Sequence, residues 1–155
     1  MTAPAAQTVQ TLRWRDARLE LIDQRLLPAR FEFVACGSAD EVAEAIRSMV
    51  VRGAPAIGCA AAYGIALEAL RLQSRSAADF ATGLERGFAA LSHSRPTAVN
   101  LFWALERMRV AWEPLRTEPP SEAATALLRE AQAIHAEDIE ANRRLGAHGA
   151  ALIAD

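Results

Sequence analysis

An arginine, a glycine and a proline at the start of a predicted helix are the residues best suited to bind a ligand. The segment Arg52-Gly53-Ala54-Pro55 follows an apolar run and precedes a helix that begins near Ala54. Pro55 suits the first helical turn, where its missing N–H would have no partner. The helix N-terminus offers unpaired N–H groups, Gly53 permits close approach, and Arg52 adds a planar charge. These groups could bind a phosphate; alternatively, Arg52 is a solvated charge at a helix start.

A second helix start repeats this design at Arg95-Pro96. A residue before proline disfavours the helical conformation, so we expect Arg95 to be extended and to project from the helix that Pro96 begins. Two guanidinium groups and two helix N-termini would hold a phosphate ester strongly, since each charge-assisted hydrogen bond contributes about 1.5–3 kcal/mol. The sequence leaves two possibilities open. Arg52 and Arg95 converge on one ligand, or the two helix starts are unrelated and far apart.

The other reactive side chains indicate no further site. Cys36 and Cys59 form no C-x-x-C pair, so we interpret them as reduced and inert thiols. His93, His135 and His148 lack the spacing of metal ligands, so we interpret them as surface or helix-face residues and expect no metal site. The positive side chains are all arginines, which excludes a Schiff-base lysine within these residues.

Length, charge and hydropathy limit the class of protein. A chain of 155 residues that is 52% hydrophobic can form one core. The net charge of −2 implies no basic surface for nucleic acid. The first ten residues do not resemble a secretory signal, and the longest apolar stretch, Ala54 to Leu67, is shorter than the roughly 20 residues of a membrane span. We therefore expect a cytoplasmic protein that binds neither nucleic acid nor membrane.

The first third of the chain has the alternating pattern of β-strands. Apolar residues fall at every second position in two runs, Leu12 with Trp14 and Leu19 with Leu21. A tight turn at Asp16-Ala17 separates the runs, and a third strand is predicted from Phe31 to Cys36. Residues 1–37 are thus predicted to form a small antiparallel meander, which needs a cover for its apolar face.

Residues 38–155 have a helical period instead. Ser38 and Glu41 form a capping box that starts a first helix ending near Val51. Further helices are predicted over 54–73 and 76–92, from Pro96 onward, and over 121–145, with Gly146 and Gly149 breaking or kinking the last one. The fold class is therefore α+β and mostly α: a short N-terminal meander followed by a helical bundle. The small side chains of the second helix place it at the centre of the bundle.

Four segments carry a resemblance to a known family. They are LIDQRLLP (Leu21 to Pro28), EVAEAIRSMVVRGAPAIGCAAAYG (Glu41 to Gly64), RPTAVNLFWALERM (Arg95 to Met108) and ANRRLGAHGAALI (Ala141 to Ile153). Together they resemble the N-terminal half of methylthioribose-1-phosphate isomerases. The wider family includes ribose-bisphosphate isomerases and regulatory subunits of translation initiation factor 2B.

The resemblance implies an aldose–ketose isomerase of methionine salvage. Such an enzyme converts 5-methylthioribose 1-phosphate to 5-methylthioribulose 1-phosphate without a metal or nucleotide cofactor, and the family is commonly homodimeric. Carried over by motif, the residues that contact the sugar phosphate are Arg52, Gly53, Ala54 and Arg95.

The same resemblance implies that the reacting groups lie outside these residues. In the family, a catalytic Cys and a catalytic Asp belong to a C-terminal doubly wound α/β domain, which is absent here. We therefore expect the N-terminal, substrate-binding part of the enzyme, inactive alone. Two alternatives remain: a non-catalytic regulatory subunit of the same fold that binds a sugar phosphate or nucleotide, and a helical interaction domain.

Overall fold

A three-stranded sheet precedes five α-helices in the computed structural model, which describes residues 9–153. This architecture confirms the α+β, mostly α class. Part of the N-terminal segment on which the localisation expectation depends, residues 1–8, lies outside the described range.

The sheet is an antiparallel meander with the strand order β1-β2-β3. Its strands are β1 (Leu12–Arg15), β2 (Arg18–Ile22) and β3 (Phe33–Cys36). Asp16 and Ala17 join the first two strands with φ angles of 50° and 55°, as a type I′ hairpin turn requires. The prediction that the third strand starts at Phe31 is wrong, since β3 starts at Phe33. The chain before Phe33 forms a separate turn, in which the Arg30 N–H donates to the Leu26 carbonyl at 2.9 Å.

The helices follow one another through short connections. They are α1 (Ala39–Arg47), α2 (Ala54–Leu72), α3 (Ala77–Ser94), α4 (Val99–Trp112) and α5 (Pro120–Ala150), with a single 3₁₀ turn at Glu113–Leu115. The predicted cap of α1 is present, since the Ser38 hydroxyl accepts from the Glu41 N–H at 3.2 Å. Leu12, Leu19 and Leu21 of the sheet are buried in the same core as the helices.

Helix α2 is the centre of the bundle. It contacts each of the other four α-helices, and the side chains from Ile57 to Ala69 are all buried. The most apolar stretch of α2 has a mean hydropathy of 1.2, so the helix is apolar enough by composition to span a membrane. However, 78% of that stretch is buried inside the fold. Glycine and alanine let the neighbouring helices approach its backbone closely.

Two helix ends differ from the predictions. Helix α1 ends at Arg47 rather than near Val51, because Met49 takes a left-handed conformation with a φ of 64°. Helix α5 continues to Ala150, so the predicted break at Gly146 and Gly149 is wrong. An isolated glycine costs a helix only about 1 kcal/mol, which a long helix tolerates.

Candidate functional site

The start of α2 is open to solvent. Gly53 is the N-cap with a φ of 91°, and no side chain caps the helix. Arg52, Gly53, Ala54 and Pro55 are all exposed. The first turn contains no acidic residue, so nothing on the helix itself neutralises the positive end of its dipole.

The start of α4 shares these properties. Arg95 is extended, with φ −153° and ψ 84°, as expected for a residue before proline, and it is exposed. Helix α4 also lacks a side-chain cap and an acidic first turn. However, it begins at Val99 and not at Pro96. The Ala98 N–H donates to the Arg95 carbonyl at 3.1 Å, so Pro96 occupies the second position of a β-turn, where proline is also favoured.

The starts of α1 and α3 are different. Each has a serine side chain that accepts a backbone N–H, Ser38 in α1 and Ser76 in α3, and each has acidic residues in its first turn. In these two helices the serine side chain therefore accepts a free N–H group, and the acidic side chains interact with the positive end of the dipole. Helix α5 also lacks a side-chain cap, but it has Glu122 in its first turn. Among the five α-helices described, α2 and α4 lack both a side-chain cap and an acidic first turn.

The N-terminal ends of α2 and α4 lie side by side, since Pro55 and Val99 line one cavity. A Cβ atom on Gly58 would come within 2.9 Å of the Asn100 carbonyl oxygen, so only glycine permits this approach. Beside the contact is a cavity of about 450 Å³, lined in part by Cys59 of α2, Trp103 of α4 and Ile134 of α5. The neighbouring first turns favour convergence over the alternative of distant, unrelated helix starts. Contact of Arg52 and Arg95 with one ligand remains a prediction.

Arg52 and Arg95 do not line this cavity, and no carboxylate of the described residues holds either side chain. Within residues 9–153, neither Arg52 nor Arg95 forms an ion pair with a carboxylate. Glu137 of α5 lines the cavity and is held by Arg107, whose Nη2 donates to its Oε1 at 2.8 Å. That hydrogen bond keeps the pKa of Glu137 below its ordinary value. Asp138 accepts from the Asn142 side chain at 3.0 Å.

The loop that follows β2 is hydrogen-bonded to the Arg52 turn. The Gln24 N–H donates to the Val50 carbonyl at 3.0 Å, and the Gln24 side-chain amide donates to the Arg52 carbonyl at 3.4 Å. Sequence reasoning assigned no role to Gln24. Its only signal was its place in the segment LIDQRLLP, since no periodicity or charge pattern links it to a turn 28 residues further along the chain.

Neither cysteine is suited to nucleophilic chemistry in this structure. Burial raises the pKa of Cys36 to about 11 and that of Cys59 to about 12. Both thiols are therefore protonated near neutral pH, where a nucleophile would need the thiolate. No group of three His, Cys, Asp or Glu residues that could hold a metal ion occurs in the part of the chain that is described.

The fold and these motifs define the class of protein. The chain belongs to the initiation factor 2 subunit family, whose family model matches residues 50–155. It is 60% identical to the methylthioribose-1-phosphate isomerase of Albidiferax ferrireducens, over 98% of this chain and 42% of that protein. It is 48% identical to the enzyme of the same name from Alkalilimnicola ehrlichii, over 97% of this chain and 42% of that protein.

Two solved structures have the same fold. The 5-methylthioribose 1-phosphate isomerase of Pyrococcus horikoshii matches with a TM-score of 0.89 and 41% identity, over 94% of this chain and 41% of that one. The translation initiation factor eIF-2B subunit delta of A. fulgidus matches with a TM-score of 0.86 and 40% identity, over 96% of this chain and 43% of that one. The chain thus spans about two fifths of the length of these relatives and corresponds to the N-terminal part of the family fold.

Proposed function

We propose that these residues form the sugar-phosphate-binding part of an isomerase that converts 5-methylthioribose 1-phosphate to 5-methylthioribulose 1-phosphate. The observation that carries the proposal is the pair of adjacent, uncapped helix starts, each preceded by an arginine that has no carboxylate partner among residues 9–153. The names of the relatives at 60% and 48% identity support the choice of substrate. The reaction belongs to methionine salvage.

The phosphate is the group that this site recognises. The N–H groups of Gly53 and Ala54 stand at the positive end of α2, where a phosphate oxygen can accept from them. Arg52 and Arg95 would each supply charged donors, and a guanidinium can bind two phosphate oxygens at once. The substrate is thereby held with its sugar toward the rest of the active site.

The proton transfer requires groups other than these. The phosphate on C1 blocks the anomeric carbon, so the ring must open before hydrogen moves between C2 and C1, which needs an acid and a base. An arginine stays protonated near neutral pH and cannot act as either. We therefore assign the acid and base to the C-terminal domain of a longer polypeptide, and assign binding and orientation to this part.

The Arg95→Ala substitution tests this function. In the full-length protein assayed with 5-methylthioribose 1-phosphate, we expect the KM to rise by about 10- to 100-fold, because a charge-assisted contact to the phosphate is lost. The kcat should change much less, because we expect the phosphate to be bound equally in the ground and transition states.

Arg75→Ala is the matched control. Arg75 is exposed beyond the opposite end of α2 and has no ion pair within residues 9–153, so its loss should leave the KM unchanged. Unchanged kinetics in Arg95→Ala would remove Arg95 from the site. A full-length wild type that binds the sugar phosphate but does not turn it over would favour the alternative of a regulatory subunit.

We further propose a cytoplasmic homodimer that binds neither nucleic acid nor membrane. The resemblance to a commonly dimeric family and the net charge of −2 support this proposal. Light scattering of the full-length protein after gel filtration tests it, and a monomer at micromolar concentration would contradict it.

A further inference from the structure

We propose that Gln24 is a positioning residue that orients the Arg52–Gly53 peptide for phosphate binding. This inference rests on the function proposed above. Gln24 lies in the loop after β2, 28 residues before the turn that it contacts, and its side-chain amide donates to the Arg52 carbonyl at 3.4 Å. It would act through the backbone of the turn and not by touching the substrate.

The hydrogen bond from Gln24 to the Arg52 carbonyl also fixes the direction of the Gly53 N–H, because both groups belong to one planar peptide. In a trans peptide the carbonyl and the N–H of the next residue point in opposite directions. Because the Arg52 carbonyl points to Gln24, the Gly53 N–H points away from Gln24, toward the open side of the turn. No acceptor for the Gly53 N–H is found within residues 9–153. The group is therefore free to donate to an anion.

The turn needs such a constraint because glycine does not hold a conformation by itself. Gly53 has a φ of 91°, and a Cβ atom there would meet nothing within 4 Å, so packing does not restrict it. Glycine populates positive and negative φ about equally. A hydrogen bond to the preceding carbonyl removes the rotation of the Arg52–Gly53 peptide that would otherwise turn the N–H away.

Gln24 is itself fixed on both sides. Its own N–H donates to the Val50 carbonyl at 3.0 Å, which ties the loop to the residues just before the turn. The preceding residue, Asp23, is buried and binds Arg25 through both carboxylate oxygens, at 2.8 and 2.7 Å. The Asp23 N–H also donates to the Glu32 carbonyl at 2.9 Å, so the loop is anchored where it leaves the sheet and the Gln24 side chain starts from a defined position.

Gln24→Met in the full-length protein tests the inference, because methionine keeps the size of the side chain and removes the N–H donor. We expect the KM for 5-methylthioribose 1-phosphate and the inhibition constant of inorganic phosphate to rise together by about tenfold, as for one weakened hydrogen bond to a charged group. The kcat should stay within about twofold, because the phosphate is bound equally in the ground and transition states. A merely structural role would lower the melting temperature without this paired effect.

Gln73→Met is the matched control, since Gln73 is exposed at the other end of α2 and should tolerate the same change with wild-type constants. Gln24→Glu is a second variant that keeps polarity at this half-buried position, and it should also raise both constants. Wild-type constants in the two Gln24 variants, with a raised KM in Arg95→Ala, would overturn this inference alone. An inactive full-length wild type would overturn the proposed function instead.

Discussion

The side chain of His135 packs against Tyr63, a buried residue of the core. Its Nδ1 lies 3.3 Å from the Tyr63 hydroxyl, and Trp14 stacks on the Tyr63 ring at a centroid distance of 5.3 Å. Burial raises the pKa of Tyr63 to about 12, so the phenol keeps its proton near neutral pH and can donate it to Nδ1. We therefore assign the proton of neutral His135 to Nε2.

This arrangement makes the stability depend on pH. Burial lowers the pKa of His135 below its ordinary value of 6.5, and the charge of Asp138 opposes that shift only in part. The unfolded chain thus binds the proton more readily than the folded chain, so stability is complete above about pH 6.5 and falls as the pH decreases below it. We expect the wild type to lose more of its free energy of unfolding than His135→Gln between about pH 7.5 and 5.5.

Urea denaturation across that range measures the difference. Glutamine offers Tyr63 an acceptor but cannot gain a proton there. His93→Gln, at an exposed histidine, is the control and should follow the wild-type profile. Parallel profiles for the wild type and His135→Gln would show that His135 does not carry the effect.

At single residues, sequence reasoning succeeds where the signal is local. The extended conformation of Arg95 follows from the proline beside it and is confirmed, whereas the anion site of Arg52 and Arg95 stays a prediction. Gln24 is invisible to this reasoning because its contact spans 28 residues and uses a backbone carbonyl, which every residue type has. The role of His135 likewise depends on Tyr63, 72 residues away.

Among the elements, helix boundaries are the least predictable part. Pro96 satisfies two local rules equally well, the first turn of a helix and the second position of a β-turn. The turn forms, because the Ala98 N–H finds the Arg95 carbonyl, and α4 begins three residues later than expected. The periodicity of the helix interiors is a stronger signal, since it reflects burial along several turns.

The crossing of α2 and α4 depends on Gly58. An alanine there would place its Cβ 2.9 Å from the Asn100 carbonyl oxygen, which belongs to the backbone and cannot rotate away. We expect Gly58→Ala to destabilise the chain by about 1–3 kcal/mol, in spite of the higher helix propensity of alanine.

Gly146→Ala is the matched change on α5. Nothing lies within 4 Å of a Cβ at Gly146, so this variant should gain about 0.5–1 kcal/mol from the loss of glycine flexibility. Urea midpoints of the two variants should therefore move in opposite directions from the wild type. A stabilised Gly58→Ala would show that the two helices can separate without cost.

At the scale of the whole molecule, the residues that we propose to bind the sugar phosphate are not suited to proton transfer near neutral pH. Its two thiols are buried and protonated, and the residues of the candidate site are arginines, glycine and alanine. We expect the purified 155-residue chain to show no isomerase turnover, while the full-length protein is active. A coupled assay on protein from a host that lacks its own isomerase measures this, and turnover by the 155 residues would place an acid and a base among them.

Helix α2 also limits how this protein can change during evolution. From Ile57 onward its side chains touch other helices on nearly every side, so a larger residue displaces a neighbour and a smaller one leaves a void. Its exposed start, from Arg52 to Pro55, has no such neighbours. Substitutions at this exposed start, where we propose that the ligand binds, should therefore cost little folding stability, so that one scaffold can serve family members with different ligands.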